Sequence, residues 1–181
     1  MADRASASIR IGGVIPHSCI SGLFEAIDRD GGRADWEGEP LDPASLRSGE
    51  ILEAFAYAQP GGMFEWTEQF CEDHGIAFVR DSGSCSGVFG PERVVFFGTG
   101  TPAQFDMTEN EEIVLALSII RALGTLEAIE AWFESAEFQP PPITIAGGTA
   151  DIHRAVHARY FVRWGRPGTI IGPCLSWSRS L

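Results

Sequence analysis

Residues Gly83-Ser84-Cys85-Ser86-Gly87 set a thiol between glycines at the end of an apolar run, in the spacing of a G-x-S-x-G nucleophile elbow with cysteine in place of serine. Asp106 follows in the chain, then His153 and His157, which is the nucleophile, acid, base order of hydrolases built on such an elbow. That chemistry needs a helix directly after the cysteine, because a helix N-terminus lowers the thiol pKa and supplies amide donors for an oxyanion. Val88-Phe89-Gly90-Pro91 follows instead, too short and too broken to be that helix. Cys85 is therefore expected in a hairpin turn, and Cys85, Asp106 and His153 or His157 form the candidate catalytic set of a second reading, a thiol-dependent hydrolase.

His153 and His157 stand one helical turn apart with Asp151 nearby, half of a metal site if the segment is helical. No third imidazole or thiol accompanies them, so ordinary surface or interface histidines are the plainer reading. His17-x-Cys19 and Cys71-x-x-His74 make a Cys₂His₂ set only if two helices run antiparallel and adjacent, while Cys19 and Cys71 fall where small buried residues belong. Asp28-Arg29-Asp30-Gly31-Gly32 echoes a calcium loop but has Arg33 where glycine is required, and reads as a helix exit. Gly98-Thr99-Gly100-Thr101 and Gly147-Gly148-Thr149 follow strands and offer backbone amides to a small anion, a third reading. Neither matches a phosphate or dinucleotide pattern, and no cofactor is expected.

The elements that must position these residues follow from apolar spacing. Residues 1–8 read as a mobile N-terminus and 9–181 as one domain, long enough to close a core without disulfides. Ile9 to Ile15 is a predicted strand; Ile20, Leu23, Phe24 and Ile27 recur at helical spacing up to Gly31-Gly32. A short strand over 33–37, a brief helix over 42–49 and a strand over 51–58 follow. After Pro60-Gly61-Gly62 a helix turns Met63, Phe64, Thr67, Phe70 and Cys71 inward and Glu65, Glu68, Glu72 and Asp73 outward, until Gly75. Residues 76–80 are expected as a strand, and Val88-Phe89, Gly90-Pro91-Glu92 and Arg93 to Phe97 as a hairpin.

Thr108-Glu109-Asn110-Glu111 has capping-box form and predicts a helix whose apolar residues from Ile113 to Ile120 mark it as buried. A second helix starts at Thr125, and strands are expected over 143–146, 160–164 and 169–171. The class is α+β or α/β, a mixed β-sheet with packed helices. A strand, helix, glycine, strand order occurs twice, with Phe24-Glu25 aligned to Phe64-Glu65. That makes a ferredoxin-like βαββαβ core the candidate arrangement, with an added helical pair and C-terminal strands.

Charge bounds the partners. All 13 basic side chains are arginine, against 25 acids. Such a chain is repelled by nucleic acid and by anionic membranes. Residues 1–150 carry 24 acids and 8 arginines, whereas 151–181 carry one acid and 5 arginines, so the C-terminal segment is suited to docking on the acidic body of its own chain or a neighbour's. Trp36, Trp66, Trp164 and Trp177 do not all fall on core faces and suit a pocket or subunit contact. The four scattered cysteines, and an N-terminus without an apolar leader, point to a reduced cytoplasmic protein. The leading expectation is a non-catalytic binding protein, self-associating or bound to another protein.

Overall fold

The computed structural model describes residues 3–147. The chain runs β1 (Arg4–Gly12), β2 (Val14–Pro16), α1 (Ile20–Arg29), β3 (Leu52–Pro60), α2 (Glu65–His74), β4 (Ala77–Ser82) and β5 (Glu92–Phe96). It continues through β6 (Ala103–Met107), β7 (Ile113–Val114), α3 (Leu117–Leu123), α4 (Leu126–Ala136) and β8 (Thr144–Ala146). Six strands form one sheet in the order β3-β1-β4-β5-β6-β7, and β2 pairs with β8 in a small parallel sheet. The class is α+β.

β1 begins at Arg4, ahead of the expected start at Ile9, because Ala5 and Ala7 continue the buried alternation of Ile9 and Ile11. The expected strand over 9–15 is divided at Gly13, whose φ of 95° turns the chain while its amide donates to the Pro141 carbonyl at 2.7 Å. The ferredoxin-like arrangement is not what forms. Every neighbouring pair in the large sheet is antiparallel. β3 and β4 lie on either side of β1, both antiparallel to it, so β3-α2-β4 is a split β-α-β unit. β1-α1-β3 joins antiparallel neighbours and is not a second one. Phe24 lies within α1 whereas Phe64 precedes α2, so the aligned pair is not equivalent in space.

α1 and α2 cover one sheet face. Leu23, Phe24, Ile27, Phe64 and Cys71 pack there on Ile9, Ile11, Ala54, Phe78 and Phe96. On the other face Trp132 and Ala136 of α4 pack with Val79, Val95 and Phe105, the Phe105 and Trp132 ring centres lying 5.0 Å apart edge to face. Among the described residues no helix lies over the half of that face formed by β1 and β3. There Trp36 leans on Phe55 and Tyr57, with centroids 5.2 and 5.1 Å away.

Several expectations change. The strand over 33–37 reduces to Arg33, whose amide and carbonyl both pair with Phe55. The helix over 42–49 is a single 3-10 turn, Pro43–Ser45, capped by Asp42. β6 carries an alternation of Ala103, Phe105 and Met107 that Pro102 and the glycine-rich turn before it concealed. Thr108-Glu109-Asn110-Glu111 is a turn in which Thr108 Oγ1 accepts from Asn110 and Glu112, and Glu111 adopts a φ of 64°. Ile113 and Val114 then add β7 to the sheet edge instead of opening a buried helix.

Candidate functional site

Cys85 sits in the loop between β4 and β5. Its amide donates to Phe89 O at 3.0 Å and its carbonyl accepts from Val88 N and Phe89 N at 2.9 and 3.2 Å. Gly87 lies within this turn with a φ of 79°, Phe89 bridges back to Cys85, and β5 begins at Glu92. The amides of Cys85, Val88 and Phe89 are thus held by the turn itself, and the next element after the thiol is β5 rather than the helix an elbow requires. Asp106 is exposed on β6, in register with Glu92 and Val114, and contributes nothing to the Cys85 turn. His153 and His157 lie outside the described residues. His17 is exposed; His74 is stacked on Phe70 at 4.1 Å, its Nδ1 2.8 Å from the Phe70 carbonyl. Among the described residues no group of three His, Cys, Asp or Glu side chains is placed to hold a metal ion. Gly98 to Pro102 forms the β5–β6 connection, where Gly98 packs against the Gly75 carbonyl.

Cys71 is fully buried, and burial pushes its thiol well above the usual range, with Glu68 and Glu72 adding to the effect. Native-state alkylation at neutral pH is expected to leave Cys71 at least about a hundredfold slower than Cys19 or Cys85, because it must await opening of the fold. Cys85 should show no rate advantage over Cys19, which is also partly accessible. If Cys85 outran Cys19 by orders of magnitude, the hydrolase reading would return.

A charged cleft of about 400 Å³ opens where the end of β3 meets α1 and α2, with Arg4, Arg29, Asp30, Tyr57, Met63 and Trp66 among its walls. A bulge builds it: Ala5 pairs with Gln59 but Ala7 with Ala56, so β3 carries one extra residue and Ala58 is driven to a φ of 53°. Arg4 holds the strained segment by donating to the Ala58 carbonyl. Across the cleft the Arg29 guanidinium lies 3.2 Å over the Trp66 ring.

Asp30, just past the end of α1, caps α2. Its carboxylate accepts from Thr67 N at 2.8 Å, Thr67 Oγ1 at 2.7 Å and Trp66 N at 3.3 Å. The residue preceding α2 is Phe64, which has no side chain able to cap. Glu68 completes the start of the helix by accepting from Phe64 N at 2.9 Å. Burial raises the carboxyl pKa of Asp30 in spite of these hydrogen bonds, and raises that of Glu68 in spite of Arg80. Asp30 lies at the helix exit that its Asp-Gly-Gly run predicts, but its cap is a tertiary contact 37 residues along the chain and carries no local signal.

Glu68, expected to face solvent, is buried. Arg80 of β4 reaches it, with Nε 2.9 Å from Glu68 Oε1 but too far off line to count as a hydrogen bond. Arg80 Nη2 donates to Glu92 at 2.6 Å and Nη1 to the Gly62 carbonyl at 3.0 Å. On the opposite face Asp81 accepts from Arg10 at 2.8 Å and from Arg93 at 2.6 Å.

The described residues also carry an uncovered apolar ridge. α3, expected to be buried, has no buried residue, and every position from Ala116 to Ala122 is exposed. Val114, Leu117, Ile119, Ile120 and Leu126 are between 36% and 65% exposed. α4 follows, capped by Thr125 and docked through Trp132 and Ala136, with Glu127, Glu130 and Glu134 facing outward. Met63 and Trp66, at the cleft, are the other large apolar side chains of the α1–α2 layer left exposed; Trp164 and Trp177 lie outside the described residues.

The described residues thus define an α+β protein with an antiparallel sheet, a charged cleft and an apolar helix without a covering. Comparison of the chain with protein-family models, curated proteins and solved structures gave no match.

Proposed function

We propose that the chain is a non-catalytic cytoplasmic binding protein that self-associates through α3 and the start of α4. The observation that carries this reading is a ridge of five large apolar side chains: Val114 on β7, Leu117, Ile119 and Ile120 on α3, which has no buried residue in the described part of the chain, and Leu126 at the start of α4. A contiguous apolar patch held in water is the usual mark of a contact surface. Burying side chains such as Leu117, Ile120 and Leu126 stabilises a complex by about 1.5–3 kcal/mol each before the cost of association. Three free thiols among the described residues support a reducing compartment. Within the described residues no helix is long and apolar enough to cross a membrane. The excess of 25 acids over 13 arginines favours a protein partner over nucleic acid.

The test is the mass of the full chain in solution by light scattering over a range of concentrations. An oligomer is expected, and Leu117→Glu with Ile120→Glu should convert it to monomer with its circular dichroism unchanged. A chain that is monomeric throughout, and indifferent to deletion of residues 159–181, removes the proposal.

A further inference from the structure

Acidic residues flank the ridge along the chain. Glu109, Glu111, Glu112, Glu127, Glu130 and Glu134 are all exposed, and none belongs to an ion pair found among the described residues. Between Glu109 and Glu137 the chain offers one arginine, Arg121, against seven acids. Two copies meeting ridge to ridge across a two-fold axis would therefore set carboxylates against carboxylates while burying the leucines between them.

The same chain holds the complementary chemistry elsewhere. Residues 151–181 contain one acid, Asp151, and five arginines, of which Arg159, Arg163 and Arg166 interleave with Tyr160, Phe161, Val162 and Trp164. Large apolar groups matched to Leu117, Ile120 and Leu126 thus alternate with guanidinium groups matched to Glu127, Glu130 and Glu134. The final described residue is Gly147, and the 34 residues beyond it span at most about 110 Å, ample to reach a neighbouring molecule.

We infer that residues 151–181 of a second copy lie across the α3–α4 ridge, so that two chains exchange their basic C-terminal segments. This rests on the reading of the ridge as the self-association surface, and adds its occupant.

Charge reversal in the full chain tests it. One variant carries Arg159→Glu, Arg163→Glu and Arg166→Glu; the other carries Glu127→Arg, Glu130→Arg and Glu134→Arg. Analytical ultracentrifugation should show self-association weakened by about tenfold or more in each variant alone. An equimolar mixture should form a heterodimer of near wild-type affinity, since the altered segment of one chain then meets the altered ridge of the other, and the unaltered segment meets the unaltered ridge. If the wild-type oligomer persists in both variants yet is lost on Leu117→Glu, the ridge is the interface but the segment is not its occupant, and the inference fails. If the mixture does not associate, while one chain carrying all six changes regains the thermal stability lost by each parent, the segment folds back on its own ridge and exchange is overturned. If Leu117→Glu leaves the oligomer intact, the reading of the ridge itself fails.

Discussion

Arg80→Ala is expected to destabilise the fold by about 3–5 kcal/mol, the cost of removing one partner from a buried ion pair. Arg80 is 2% exposed, and its guanidinium sits between Glu68 and Glu92 while donating to the Gly62 carbonyl. Truncation leaves Glu68 buried without its counter-charge and the Gly62 carbonyl without its donor. Glu68→Gln should cost far less. Burial already makes the ionised form of Glu68 unfavourable in the fold, and a glutamine still accepts from Phe64 N while Arg80 keeps Glu92.

The pH dependence follows the same sign. A carboxyl whose folded pKa is raised gives stability that is complete below its ordinary value, 4.5 for Glu68, and is lost as pH rises through the folded value. Asp30 acts in the same direction from 3.8. The defect of Arg80→Ala should therefore shrink as the pH is lowered and Glu68 takes up a proton, and Glu68→Gln should flatten this part of the profile. Urea denaturation at several pH values measures both. An Arg80→Ala protein within about 1 kcal/mol of wild type at neutral pH would show that the charges are solvated rather than buried.

Local signals were legible wherever a segment's burial is decided by its own period. The spacing of Ile20, Leu23, Phe24 and Ile27 locates α1, the left-handed Gly75 ends α2, and the loop around Cys85 is the turn its serines and glycines suggest. What failed depends on residues distant in sequence. Glu68 falls on the polar stripe of α2 and is buried only because Arg80 arrives from β4. Asp30 caps a helix other than its own. The run from Ile113 to Ile120 announces apolar surface, yet nothing within the run says whether a sheet, a helix or another molecule covers it. Of the candidate site, Cys85 and Asp106 were visible by type and order, but the place of Asp106 beside Glu92 and Val114 is a consequence of strand register.

Register also makes Gly12 irreplaceable. An added Cβ there would lie 2.1 Å from the Pro141 carbonyl oxygen and 3.1 Å from Pro140 Cβ, and neither is the free end of a flexible side chain. That carbonyl is also the acceptor for Gly13 N at 2.7 Å, the bond that turns β1 into β2. Relief requires residues 140–141 to move away, which pulls on buried Ile143 and on the pairing of β8 with Val14, Ile15 and Pro16. Gly12→Ala is expected to cost about 3 kcal/mol, the upper end for overpacking, since backbone rather than side chain must yield. By contrast, Gly31, whose φ of 74° faces open space, should lose only about 1–2 kcal/mol as alanine, through backbone strain alone. Hydrogen exchange separates the two. Gly12→Ala should selectively expose the amides of Gly13, Ile143 and Thr144, whereas equal exchange at those amides in both variants would mean that the β2–β8 pair is not fastened to the sheet through Gly12.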